Sequence, residues 1–134
     1  MAEARHTVER PLSPHLSIYA RQINMVMSIV HRLTGAALYF GTLLLAAWLI
    51  AAAMGEAPFA IVSAVFAHPI GMLVLFGYTW ALAHHMLGGV RHLIWDTGRG
   101  LQIRQVDVLC WLTVFGSAAL TLAIWAAVLL EGGR

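Results

Sequence analysis

Residues 70–96 read IGMLVLFGYTWALAHHMLGGVRHLIWD, and the class of the whole chain turns on this stretch. It opens as a long apolar run. It ends with His84, His85, Arg91, His92 and Asp96 around the glycine pair Gly88-Gly89. Most of these groups are costly to place in hydrocarbon, so they call for a purpose. At helical spacing His85, Gly88 or Gly89, and His92 fall on one face. His84 points about 100° away from His85, so only one of the two adjacent imidazoles can face a shared ligand. The glycines and the His92 spacing favour His85, with His84 as the alternative.

The composition fits a membrane chain. Of 134 residues, 60% are hydrophobic and 10% charged, against about half and a quarter in a soluble domain. One domain is expected at this length. There is no lysine, and the arginines cluster. The single Cys110 excludes an internal disulfide and a cysteine-rich metal site, and reads as a small buried apolar group. The spacing of the methionines suggests no metal site, and Glu56 and Glu131 read as solvated loop charges. The expected fold is an all-α membrane protein with three transmembrane helices.

Taken in order, residues 1–22 are polar, with Pro11 and Pro14, and read as an extended surface segment; Pro14 forbids a regular helix there. Residues 23–134 form the transmembrane domain, with spans at about 23–54, 70–95 and 107–130. The first apolar run is too long for a signal h-region of roughly 7–15 residues and is read as a retained span. Without transit-peptide character, the chain reads as bacterial, or as a mature organellar one. Gly55-Glu56-Ala57-Pro58 reads as a turn. The apolar segment from Phe59 to His68 is short and ends at the break His68-Pro69. The third span carries Trp111 and Trp125 toward its ends and reads as packing, with no chemistry assigned. Arg5, Arg10 and Arg21 precede the first span, Arg99 and Arg104 lie between the second and third, and no Arg or Lys lies between the first and second. The positive-inside rule then puts the N-terminus on the cytoplasmic or matrix side and the C-terminus outside.

In that orientation the polar groups gather at one depth. His85 lies roughly 16 Å in from Asp96, and His31 roughly 10 Å in from Asn24, at about 1.5 Å per residue. Ser28 and Arg32 are i and i+4, one helical turn apart on the same face. A buried neutral imidazole is a good axial ligand for haem iron, and haem needs a small residue at the ring and cations near its propionates. His85, the glycines, and His31, Arg32, Arg91 and His92 supply that set. A quinone needs hydrogen-bond donors near the interface, which Ser28 and Arg32 supply. Arg32 and Arg91 have a simpler reading as side chains snorkelling to the surface.

Three motifs carry a resemblance. They are Arg10-Pro11-Leu12-Ser13-Pro14-His15-Leu16-x-Ile18-Tyr19, Ser28-Ile29-x-His31-Arg32-x-Thr34-Gly35, and His85-x-x-x-Gly89-x-Arg91-His92-x-x-x-Asp96. Together they resemble the cytochrome b556 subunits of succinate dehydrogenase, the membrane anchors of respiratory complex II, over Arg10 to Asp96. The resemblance implies that His85 ligates a haem b shared with a second membrane-anchor subunit. It implies that Ser28 and Arg32 line the ubiquinone pocket and that His31 lies near the propionates. It implies a place in a multi-subunit helix bundle, and partnership with an iron–sulfur subunit and a flavoprotein subunit in the bacterial inner membrane, or the mitochondrial inner membrane for an organellar chain. No nucleic-acid partner is expected. The chain has no motif for flavin, iron–sulfur cluster or dicarboxylate, so it oxidises no succinate by itself. The competing readings are a fumarate reductase anchor, a non-redox membrane subunit whose histidines relay protons, and a structural anchor without cofactor.

Overall fold

The computed structural model describes residues 19–132; the Arg10–Tyr19 motif except Tyr19, and most of the 1–22 segment, lie outside them. Four helices follow one another: α1 (Ile23–Met54), α2 (Glu56–Ala67), α3 (Pro69–Asp96) and α4 (Ile103–Gly132). No strand occurs among the described residues. The helices α1, α3 and α4, of 32, 28 and 30 residues, are long and apolar enough to cross a membrane. At about 1.5 Å per residue they span roughly 42–48 Å, so their ends pass beyond a hydrocarbon core of about 30 Å. The 12 residues of α2 are too few to cross. The all-α class with three apolar spans is what the composition led us to expect.

Two local readings change. The turn after α1 is Gly55 alone, at φ 112°, and α2 begins at Glu56. Pro58 had argued for a turn across residues 55–58. It sits instead in the first turn of α2, where a missing N–H breaks no helical hydrogen bond. Helix α4 likewise begins at Ile103, so Arg104 and Asp107 lie on its first turns. Between α2 and α3 only His68 is non-helical; its Nδ1 accepts from the Ile70 amide at 3.3 Å, and Pro69 opens α3 at the position proline favours.

The long helices pack antiparallel in sequence order. Thr34 meets His85 and Gly41 meets Tyr78 between α1 and α3. His84 meets Ser117 and Thr79 meets Trp125 between α3 and α4. The start of α1, the end of α3 and the start of α4 therefore share one end of the bundle. The loop at that end turns through Gly98 and Gly100 at φ 75° and 73°, and the Trp95 Nε1–H donates to the Gly100 carbonyl at 3.1 Å.

The contacts between helices are small and polar. Thr113, Ser117 and Thr121 are buried on α4 and donate to the carbonyls of Leu109, Val114 and Ser117 on their own helix. Their hydroxyl protons are thus satisfied without a partner helix, while their size lets α3 approach. Large side chains such as Phe40, Leu73, Leu93 and Leu122 point outward. With lipid as solvent, apolar bulk gains nothing by facing inward, and packing falls to the small residues.

Candidate functional site

The polar groups of α1 and α3 meet near the shared end of the bundle. Two imidazoles form the centre. His31 of α1 and His85 of α3 stack with ring centroids 4.0 Å apart and planes 3° from parallel. Each ring occupies a notch made by a glycine of the opposite helix. A Cβ on Gly35 would stand 2.9 Å from His85 Cε1, and one on Gly88 would run into His31 Nδ1. The helices can approach this closely only because both positions lack a side chain.

The hydrogen bonds assign the tautomer of His85. Its Nδ1 lies 3.1 Å from the His31 carbonyl and 3.3 Å from Thr34 Oγ1. A carbonyl only accepts, so Nδ1 carries a proton, and in the neutral imidazole Nε2 then keeps its lone pair. Nε2 makes no hydrogen bond among the described residues, and the side chain is part-buried. Beside it, Gly89 has open space where a Cβ would be. The glycine pair thus divides its work: Gly88 admits His31, and Gly89 leaves the outer side clear. A neutral imidazole with its outer nitrogen bare, next to a gap, suits a flat ligand bound through a metal, so the residues present fit a haem. No group of three or more His, Cys, Asp or Glu side chains is placed to hold a metal ion by itself among the described residues.

His92, one heptad after His85, stands at the rim. Its ring centroid is 5.2 Å from that of His31 and 5.2 Å from that of Trp95. Arg32 and Ser28 lie next to His31 on α1, and Arg32 Nη2 donates to Ser28 Oγ at 2.9 Å. Arg32 is exposed and Ser28 part-buried. The structure therefore brings His31, His85 and His92 together, with Ser28 and Arg32 adjoining.

His84 and Arg91 lie elsewhere. Both face α4 and are closed off, at 2% and 3% exposure. His84 Nδ1 lies 3.3 Å from Ser117 Oγ. Since that hydroxyl already donates to Val114, His84 also carries its proton on Nδ1. Its Nε2 is buried without a partner, and Trp80 packs on its ring at 5.2 Å. Arg91 Nη1 reaches Thr113 Oγ1 at 3.5 Å and Cys110 Sγ at 3.7 Å, and its Nε has no partner. Its guanidinium stands over Trp95 at 5.2 Å. Arg91, expected on the His85 side, neither snorkels nor joins that cluster.

Two sets of residues escaped the sequence reading. Thr34 touches His85 directly, and its only sequence mark is its place in the Ser28–Gly35 motif. Cys110, Thr113 and Ser117 receive Arg91 and His84 on a helix read as plain packing, with Thr121 buried in line with them. Their spacing of three, four and four residues was a visible sign of a single buried stripe.

Comparison with known proteins agrees with this architecture. A family model described as "Succinate dehydrogenase/Fumarate reductase transmembrane subunit" matches residues 6–124. The succinate dehydrogenase cytochrome b556 subunit of Rickettsia prowazekii (strain Madrid E) is 39% identical over 117 residues, covering 87% of this chain and 91% of its own. That of Paracoccus denitrificans is 40% identical over 119 residues, covering 87% and 92%. The mitochondrial succinate dehydrogenase cytochrome b560 subunit of Sus scrofa is 41% identical over 118 residues, covering 83% and 69%. With its three apolar spans and a match over most of its length, the chain belongs to the succinate dehydrogenase/fumarate reductase transmembrane subunit family.

Proposed function

We propose that this chain anchors a succinate:quinone oxidoreductase in the membrane, gives one axial ligand to a haem b and forms part of a ubiquinone pocket. The observation that carries the reading is the state of His85. Its inner nitrogen is tied to a backbone carbonyl and its outer nitrogen is bare and accessible. Metal-bound histidines typically give their second N–H to such an acceptor. His84 has the same tautomer but is sealed between α3 and α4. Access, more than chemistry, separates the two.

A haem held at His85 would supply a one-electron store. His31 cannot be its opposite ligand. The two imidazoles stand parallel at 4.0 Å, side by side instead of across a macrocycle. The resemblance to the cytochrome b556 subunits implies that a further ligand would come from the second anchor subunit. His31, Arg32 and His92 are the polar groups of this face and are available to the propionates; Arg91 stays with α4.

Ser28 and Arg32 are arranged for a quinone oxygen. Because Ser28 Oγ accepts from Arg32, its own O–H is free to donate outward, and the guanidinium keeps further donors. Both can point at one carbonyl oxygen as it gains negative charge. Reduction to the quinol takes up two electrons and two protons. The electrons originate from succinate in the flavoprotein subunit and arrive through the iron–sulfur subunit. The arginine bias puts this end of the bundle at the cytoplasmic (or matrix) face of the inner membrane, where those subunits would dock.

A reduced-minus-oxidised spectrum of the purified complex tests the reading. His85→Leu is expected to abolish or alter the b-type bands, and His84→Leu to keep them. Unchanged bands in His85→Leu would refute the ligand assignment.

A further inference from the structure

Thr34 is buried at 4% exposure against the inner edge of His85. Its hydroxyl donates to the carbonyl of His31, three residues earlier, at 3.0 Å. That donation uses its only proton, so the Thr34 oxygen faces His85 Nδ1–H, at 3.3 Å, as an acceptor. The His31 carbonyl receives both donors, from Thr34 at 3.0 Å and from His85 at 3.1 Å. Both bonds add to the Gly35 N–H that the same carbonyl takes within α1. Gly35, next in sequence, is the notch that lets the imidazole reach it. His31, Thr34 and Gly35 thus act together: one turn of α1 offers a carbonyl, a hydroxyl and a gap to the same ring.

We infer that Thr34 is a positioning residue for His85, sharing the Nδ1 proton with the His31 carbonyl and thereby setting both the ring's orientation and its donor strength toward iron. This inference rests on the reading of His85 as a haem ligand. An acceptor on the distal N–H of a ligating imidazole raises its basicity, and the Thr34 oxygen is such an acceptor. A richer ligand favours the ferric state and holds the potential down. Outer-shell partners of metal ligands typically change affinity or activity about 10- to 100-fold. Thr34 supplies one of two acceptors, so the lower end applies. Without the hydroxyl, the ferrous-to-ferric ratio at a fixed potential should rise about tenfold, which for a one-electron couple is ~59 mV upward.

The test is a potentiometric titration of the detergent-purified, complete complex followed at its haem bands, with haem content measured against flavin. Thr34→Val keeps the shape and removes the hydroxyl; Thr34→Ser keeps the hydroxyl. The expected result is an upward shift in Thr34→Val and a near-native potential in Thr34→Ser. An unchanged potential in Thr34→Val, or an equal shift in both variants, overturns the role of the hydroxyl and leaves His85 as ligand. If Thr34→Val does not assemble, Thr34→Ala takes its place, and anything but an upward shift overturns the inference. Absence of b-type bands from the wild-type complex overturns the haem reading itself, a different and recognisable failure.

Discussion

Replacing Gly88 by alanine should separate α1 from α3, and the reason is confined to one contact. The added methyl would run into His31 Nδ1 and stand 3.0 Å from its Cε1. The imidazole has little room to yield. Its other face lies on His85 at 4.0 Å, and His92 closes the rim at 5.2 Å. Overpacking of this kind usually costs about 1–3 kcal/mol. A ring pinned on two sides belongs at the upper end, about 2–3 kcal/mol, or roughly a 30- to 150-fold loss in the folded-to-unfolded ratio. The assay is a titration of the purified complex with denaturing detergent in mixed micelles, run on wild type, Gly88→Ala, His31→Ala and the double variant. Removing the imidazole makes room for the methyl, so the double variant should be more stable than the two single costs add up to. A cost for Gly88→Ala that is the same with and without His31 would refute the account, because the obstacle would then lie elsewhere.

Three further outcomes are expected. Ser117→Ala removes the acceptor of His84 Nδ1 and leaves a second unpaired nitrogen on a sealed ring; it should cost about 1–3 kcal/mol in the same titration, without altering the haem bands, and cost less in a His84→Leu background. Arg91→Met exchanges a buried guanidinium that has no carboxylate partner among the described residues for an apolar chain; it should be neutral or stabilising by about 1–4 kcal/mol, and a displaced haem potential would mean that Arg91 reaches the propionates after all. Ser28→Ala and Arg32→Ala should each slow quinone reduction about 10- to 100-fold, since a hydrogen bond to a charged group contributes about 1.5–3 kcal/mol; succinate oxidation with a soluble artificial acceptor should persist, and equal loss of both activities would point to failed assembly.

The class of the fold was legible because the bilayer imposes a simple rule on sequence. Runs without charge, such as 33–55 and 108–130, can be little else at that length. The joints were harder to read. Pro58 carries the same letter whether it stops a helix or sits in the first turn of one. What decides is the residue that can leave the helical region of φ, and that is Gly55 at φ 112°. The start of α4 was set late because Asp107 and Arg104 looked like loop charges. At a helix end outside the hydrocarbon, charge does not oppose helix formation.

The site was legible as a set of residues and illegible as a set of directions. A middle helix with two neighbours presents two buried stripes, and residues seven apart stay within about 20° on the same stripe. His85 and His92 form one such pair; His84 and Arg91 form the other. Turning His84 toward α4 therefore turns Arg91 with it. Charge and depth alone place Arg91 beside His85; its heptad partner places it with His84. Within α3 the glycines and His92 only favour one stripe, since each offers an imidazole. The choice between them comes from what the neighbours hold opposite. Helix α1 offers Gly35, Thr34 and the His31 carbonyl, which grip one edge of a ring and leave the other edge open. Helix α4 offers Thr113, Ser117 and Cys110, which close over His84 and Arg91 entirely. A ligand must be held on one side and reachable on the other, and only the α1 side of α3 meets both conditions.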